Sequence, residues 1–234
     1  SETTSASFSI DAAIGSIDGD TTSEATTFDY QFNIGLSTSF TGEDSLDIAI
    51  DSGTATQSPV GTEMGFDSGT GLVVDGITYS FPVGSASAVV GDATDISAVF
   101  TGACAYSAFT DALGNCGTAN SAAMGSGDDV AFSSVYEIGN GITFGAGIGS
   151  TGETVGVFTK ESDDRYALQL AYEGDSYGLA GTYSSFDDAD GTDLTYFGLN
   201  GFYKFDNAGI ESISLGWESA DPETGVNGTG WFAG

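Results

Sequence analysis

Large apolar residues occupy every second position over much of the chain. The clearest case runs from Phe28 to Leu36, where Asp, Gln, Asn and Gly fill the positions between them. Successive side chains of a β-strand point to opposite faces, so this period predicts strands with one apolar and one polar face. About eleven such segments are recognisable. They span residues 8–14, 28–36, 46–50, 77–83, 86–90, 130–138, 142–148, 166–172, 177–183, 197–205 and 213–217.

The apolar parity alone fits two architectures, because a β-sandwich core and a lipid-facing barrel both need every second residue to be apolar. Aromatic residues at segment ends favour the barrel, since amphipathic rings prefer the two headgroup levels of a membrane. Tyr166 and Tyr172, for example, bracket Leu168 and Leu170. The predicted aromatic girdle consists of Phe28, Tyr30, Tyr166, Tyr172, Tyr177, Tyr183, Phe197, Tyr203, Phe205 and Trp217.

The connections between these segments alternate in length. The long ones are residues 16–26, 53–75, 92–129, 150–164, 185–194 and 219–228, and the short ones are 41–44, 84–85, 139–141, 174–176 and 206–209. Outer-membrane barrels have this alternation, whereas a sandwich does not require it. Residues 155–159 are assigned to a loop, because a further strand there would break the order. Asn140-Gly141 predicts a tight hairpin turn, since both residues accept positive φ.

No apolar run approaches the ~20 residues of a membrane-spanning helix. If the chain crosses a membrane, it must therefore do so as a closed barrel. The predicted fold class is an all-β, antiparallel transmembrane β-barrel.

The charge balance excludes several functions. Among 234 residues are 34 acidic side chains, 3 basic ones and no histidine, for a net charge of −31. Nucleic-acid binding needs clustered Lys and Arg, and most acid–base catalysis uses histidine. We therefore predict no enzyme and no catalytic residue. An enzyme with paired carboxylates, such as a glycosidase, would leave the aromatic segment ends unexplained.

The polar parity predicts the residues that line a pore. An acidic pore raises the local concentration of cations and repels anions, so we expect cation preference. An alternative stays open, in which these carboxylates are only solvated and the acidity reflects life in high salt. The predicted lining residues are Asp11, Asp29, Asp47, Asp51, Glu137, Gln169, Glu173 and Glu218.

Two acidic loop segments resemble calcium-binding loops without completing the pattern. Asp18-Gly-Asp20 is short, and residues 187–193 lack the distal bidentate Glu of an EF-hand. We predict no metal site and no cofactor other than loosely bound cations such as calcium. The alternative function is a secreted, acidic, β-rich surface-layer protein or adhesin with calcium-binding loops.

Two motifs resemble those of a known family. Phe28-Asp-Tyr-Gln-Phe-Asn-Ile-Gly-Leu-Ser-Thr-Ser-Phe-Thr-Gly42, followed by Glu43-Asp44-Ser-Leu46, and Tyr79-Ser-Phe-Pro-Val-Gly84 are similar to segments of cyanobacterial outer-membrane porins. This family is related to the carbohydrate-selective OprB porins and is often described as iron-uptake porins. The resemblance implies a homotrimeric barrel of about sixteen strands in the cell outer membrane. Its partners would be outer-membrane lipid, ions and small solutes, iron among them.

The resemblance also bears on domain organisation. Residues 1–234 are expected to form one porin domain, without the N-terminal tether that family members usually carry. A twelfth strand would begin near Gly234. Because outer-membrane strands are even in number and close on themselves, we expect the domain to be incomplete at its C-terminal end.

The third long connection contains both cysteines, Cys104 and Cys116. A single loop disulfide is expected, which would indicate an oxidising compartment. General porins fold their third loop into the barrel, and small residues at 119–127 suit packing against a wall. Two interpretations remain open: a channel constriction or an exposed surface loop tied by its disulfide.

Overall fold

The described residues form twelve β-strands. A computed structural model describes residues 3–18, 24–54, 60–61, 64, 66, 69–102, 130–152, 156–189, 191, 193–206 and 210–234. The strand order is the chain order. The strands are β1 (Thr3–Gly15), β2 (Thr27–Ser39), β3 (Ser45–Gly53), β4 (Val73–Val83), β5 (Ala86–Asp92), β6 (Val130–Gly139), β7 (Ile142–Ser150), β8 (Asp164–Glu173), β9 (Tyr177–Asp187), β10 (Leu194–Lys204), β11 (Ser212–Pro222) and β12 (Gly228–Ala233).

The predicted all-β class is confirmed, and each of the eleven alternating segments lies in a strand, except that Phe205 follows the last residue of β10. Among the described residues, no helix is long and apolar enough to cross a membrane. Residues 156–159 are outside the strands, as expected for a loop.

The predicted end of the eleventh strand and the predicted start of a twelfth strand near Gly234 are wrong. Residues 219–222 still belong to β11, and β12 pairs with it before the chain reaches Gly234. The connections 188–193, 205–211 and 223–227 therefore have similar lengths, so the predicted alternation of long and short connections fails in this region. The reason is that apolar alternation marks only the apolar part of a strand, whereas the ladder depends on backbone groups and continues through polar residues.

The chain divides into two compact units. Unit 1 comprises Ser1–Ile77 and contains β1 to β3 and the first part of β4. Unit 2 comprises Thr78–Gly234 and contains the rest of β4 and β5 to β12.

In unit 1, β2 pairs antiparallel with β1 on one side and with β3 on the other. The turn between β2 and β3 is organised by the buried Asp44. One of its carboxylate oxygens, Oδ1, accepts hydrogen bonds from Ser39 Oγ (2.8 Å), from the Phe40 amide (2.9 Å) and from the Thr41 amide and hydroxyl (2.8 Å each). The Thr-Ser-Phe-Thr-Gly segment is thus a side-chain-stapled turn, with Gly42 at positive φ.

In unit 2, β5 to β12 form consecutive antiparallel pairs. The predicted tight turn between β6 and β7 is confirmed, since Asn140 and Gly141 have φ values of 55° and 78°. This geometry matches the twist of the strands it joins. In the last pair, Trp217 lies directly opposite Trp231.

Candidate pore-lining face

The polar face of unit 2 is buried, and its apolar face is exposed. In β8, Leu168 and Leu170 are 49% and 58% exposed, whereas the intervening Gln169 is 1% exposed. The same inversion continues in β9, where Leu179 is exposed and Ala180 and Thr182 are buried. A sheet of a water-soluble protein buries its apolar face instead. The apolar residues therefore do not form the protein interior.

In unit 1 the contrast between the two faces is weaker, although part of its apolar face is exposed. Phe8, Ile10, Ile14 and Phe28 are exposed there. Asp29, on the opposite face of β2, is 2% exposed. Most other side chains of β2 and β3 are half-buried on both faces, and Asp11 on the polar face of β1 is exposed, so the burial contrast is clear only in unit 2.

The predicted girdle residues lie on the exposed face. Tyr172 and Tyr177 have ring centroids 5.1 Å apart, and the rings of Tyr203 and Phe205 are 4.9 Å apart. Tyr30 and Tyr172 are half-buried. The exposed ones are Phe28, Tyr166, Tyr177, Tyr183, Phe197, Tyr203, Phe205 and Trp217. Their contact with lipid stays a prediction.

Four predicted lining carboxylates share the polar face of unit 1. The register places Asp11 opposite Gln31, Asp29 opposite Ala13, Asp51 opposite Asn33, and Asp47 opposite Ser37. Asp11 is exposed, Asp47 is half-buried and Asp51 is buried.

Asp29 is held by hydroxyl groups. Thr27 Oγ1 donates to Asp29 Oδ2 at 2.9 Å, and Thr54 Oγ1 donates to Asp29 Oδ1 at 3.5 Å. Thr54 Oγ1 in turn accepts from the Tyr30 amide at 3.1 Å. Hydrogen bonds of this kind stabilise a carboxylate that is largely removed from water.

The other predicted lining residues belong to unit 2 and are more scattered. Glu137 and Glu173 are exposed near strand ends, and Glu218 is half-buried on the polar face of β11, opposite Gly198. Gln169 lies in the middle of β8. The structure thus brings the predicted lining carboxylates of unit 1 onto three adjacent strands. It does not group the predicted lining carboxylates of unit 2.

Two cationic side chains on the polar face of unit 2 were missed by the sequence analysis. The Arg165 guanidinium carbon lies 5.0 Å from the centroid of the Phe186 ring, and Lys204 Nζ lies 4.8 Å from that of Phe202. Such cation–π contacts fix the charged groups beside the sheet. Strand parity was the available sequence signal, because Arg165 and Lys204 occupy the same parity as the polar residues of their strands.

A segment of the third long connection covers part of this polar face. We call residues 94–102 the docked segment. Within it, the Ala98 amide donates to the Asp95 carbonyl at 3.1 Å and the Phe100 amide donates to the Ser97 carbonyl at 2.8 Å. These two turns direct Ile96 and Phe100 onto the sheet, where both are buried with Ala131 and Ala167.

Glycines make this contact possible. A Cβ atom at Gly145 would lie 2.8 Å from Phe100 Cδ1, and one at Gly147 would overlap the carbonyl oxygen of Ile96. Both glycines lie on β7, on the same face as Gln169 of the paired strand β8. Glycine alternates in the sequence with Phe144, Ala146 and Ile148. This pattern is a sequence signal for the close approach of another backbone segment, and it was not used in the prediction.

The prediction for the rest of this connection concerns residues outside those described. Cys104, Cys116 and the small residues at 119–127 all lie there. The disulfide stays a prediction. Across the described part of the chain, no group of three or more His, Cys, Asp or Glu side chains could hold a metal ion.

Comparison with known proteins identifies the fold. No protein-family model matches the chain, and no curated protein matches it by sequence. Among solved structures, a triple mutant of the Rhodopseudomonas blastica porin is 13% identical, with a TM-score of 0.51 over 98% of this chain and 88% of that one. Another mutant of that porin is 14% identical, with a TM-score of 0.50 over 93% and 75% of the two chains.

A third similar structure is described as "Asymmetric conductivity of engineered proteins". It is 14% identical, with a TM-score of 0.52 over 94% of this chain and 74% of that one. At these identities the likeness shows the fold alone. The chain has the fold of the bacterial porins.

Proposed function

We propose that this chain is the channel-forming part of an outer-membrane porin, a passive pore for ions and small solutes. The observation that carries the proposal is the inverted sheet. Leu168, Leu170 and Leu179 are exposed, while Gln169 and Thr182 on the opposite face are buried. Water does not stabilise such an apolar surface, whereas acyl chains do, and outer-membrane barrels present it to them.

The proposal includes cation preference. Asp11, Asp29, Asp47 and Asp51 share one polar face, and the chain carries a net charge of −31. Carboxylates along a water-filled passage attract cations and repel anions, and low-dielectric walls strengthen the effect. We assign these side chains, with Glu137, Glu173 and Glu218, to the lining of the pore.

The motifs shared with cyanobacterial porins extend the proposal. They imply a homotrimer and add iron and carbohydrates to the solutes to be tested. The porin fold of the comparison structures supports the channel itself, and the motif resemblance alone supports these finer assignments. No enzymatic activity and no bound cofactor are part of the proposal.

Planar-bilayer recording of the purified protein tests the channel. We expect stepwise currents and, under a salt gradient, a reversal potential of the sign that cation preference gives. Folded protein should also migrate faster on a denaturing gel before boiling than after. A chain that is monomeric and soluble without detergent and gives no stepwise current would instead support the adhesin. A clear anion preference would contradict the acidic lining.

A further inference from the structure

Gln169 makes hydrogen bonds on two sides from the middle of strand β8. Its Nε2 donates to Thr182 Oγ1 at 3.2 Å, and Thr182 is its direct register partner on β9. Its Oε1 accepts a hydrogen bond from the Thr101 amide at 2.8 Å. The contact to β9 orients the amide group, so that its oxygen faces the docked segment.

Thr101 of the docked segment makes a second polar contact, through its hydroxyl group. The hydroxyl groups of Thr101 and Thr143 lie 2.8 Å apart, within hydrogen-bond distance. Thr143 is on β7, next to β8 in the sheet. Two neighbouring strands therefore hold Thr101, one through its backbone amide and the other through its side chain.

These hydrogen bonds fix the position of the docked segment, which its apolar contacts alone cannot do. Ile96 and Phe100 pack on the glycines of β7, and such packing is non-directional. A hydrogen bond weakens steeply with misalignment and therefore fixes position. Thr101 is also the point from which the remaining residues of the third connection continue.

We propose that Gln169 is a positioning residue, which clamps the docked segment to the wall and thereby sets the bore of the channel. Its side chain acts through the Thr101 amide and does not contact the solute. The electrical part of this inference rests on the proposed porin function. The clamp itself does not, because it is a contact within unit 2.

The test compares Gln169→Leu with the matched variant Asn200→Leu in the full-length protein. Leucine is similar to glutamine in size, although one bond shorter, and it removes both the acceptor and the donor. Asn200 is likewise a buried amide on the polar face, but it lies on β10, two strands away. Folding of each variant is checked by its heat-modifiable mobility.

The first readout is amide hydrogen exchange of the peptide that contains Thr101. We expect exchange about tenfold faster in Gln169→Leu, the factor that one lost hydrogen bond of ordinary strength gives. Asn200→Leu should leave this exchange unchanged. The second readout is the open-channel current, whose fluctuations should increase in Gln169→Leu alone.

If Gln169→Leu does not fold, Thr143→Val serves as the weaker variant, because it removes only the hydroxyl partner of Thr101. It should accelerate exchange of the same peptide by a smaller factor. Unchanged exchange in the variant that folds, or equal acceleration in Asn200→Leu, would overturn the clamp. Altered exchange in a protein that gives no currents would preserve the clamp and contradict the porin function.

Discussion

The polar faces of the two units differ in the side chains they carry. In unit 1, four aspartates lie on three adjacent strands. In unit 2, the corresponding positions of β7 to β9 are mostly small or neutral, such as Gly145, Ala167 and Thr182. The apolar faces of the two units, by contrast, both carry exposed side chains, such as Phe8 in unit 1 and Leu168 in unit 2.

The docked segment accounts for the small residues on the polar face of unit 2. Where the docked segment packs on unit 2, a side chain at Gly147 would overlap the backbone of Ile96. Close packing of a peptide on a sheet therefore excludes large or charged residues. Unit 1 retains exposed and half-buried carboxylates such as Asp11 and Asp47, which suits the proposed contact with ions. The same alternation of apolar and polar residues therefore supports a covered polar face in unit 2 and an acidic polar face in unit 1.

The largest expected effect tests whether the apolar faces are equivalent. Ile34→Lys in unit 1 and Leu170→Lys in unit 2 should each destabilise the folded protein in lipid vesicles by about 2–4 kcal/mol, the cost of a charge near the bilayer midplane. Urea unfolding in vesicles measures this change. The matched variant Gln31→Lys, on the polar face of β2, should cost far less. Equal costs for Ile34→Lys and Gln31→Lys would remove the lipid-facing assignment.

The next effect tests the covered face of unit 2. Gly147→Val should displace the docked segment, because its Cβ has no space beside Ile96, and overpacking of this kind costs about 1–3 kcal/mol. Cleavage after Phe100 by chymotrypsin should become faster. The control is Gly181→Val on the apolar face, where a Cβ would meet only Leu199 Cδ2, at 3.3 Å. Resistance of both variants to cleavage would mean that the glycine is not needed for docking.

The smallest effect tests the acidic face of unit 1. Removing both charges in Asp11→Asn/Asp47→Asn should shift the reversal potential toward zero in a salt gradient. Each charge is worth about 0.5 kcal/mol for an ion ~8 Å away in water, which is roughly a twofold change in permeability ratio. Glu137→Gln/Glu173→Gln in unit 2 should shift it less, because these two residues are not grouped with other predicted lining carboxylates. A larger shift for the unit 2 pair would mean that the carboxylates of unit 2, and not those of unit 1, dominate the ion selectivity.

Strand positions were predictable because they depend on local sequence. In β2 and β8, each apolar side chain reports the face of its own residue, so the period can be read without tertiary information. β12 was not predicted at its observed position, because its sequence, Gly-Thr-Gly-Trp-Phe-Ala, has too little alternation of apolar and polar residues. Its pairing with β11 comes from the backbone ladder, which leaves no periodic mark in the sequence.

The candidate site was predictable only in part. Asp11, Asp29, Asp47 and Asp51 could be placed on one face by parity alone. The docked segment could not, because its contact with Gln169 joins residues 68 positions apart and depends on space that two glycines leave open. Contacts between a connection and a sheet follow from three-dimensional fit, for which the sequence has no period.

The register of the last strand pair has an optical consequence. The sequence contains two tryptophans, Trp217 and Trp231, and they face each other across β11 and β12 on the exposed apolar side. The tryptophan fluorescence of this chain therefore reports one location on the surface. Its emission wavelength depends on the polarity of the medium at that location. A bulk spectroscopic signal thus becomes a local sensor of the surrounding solvent.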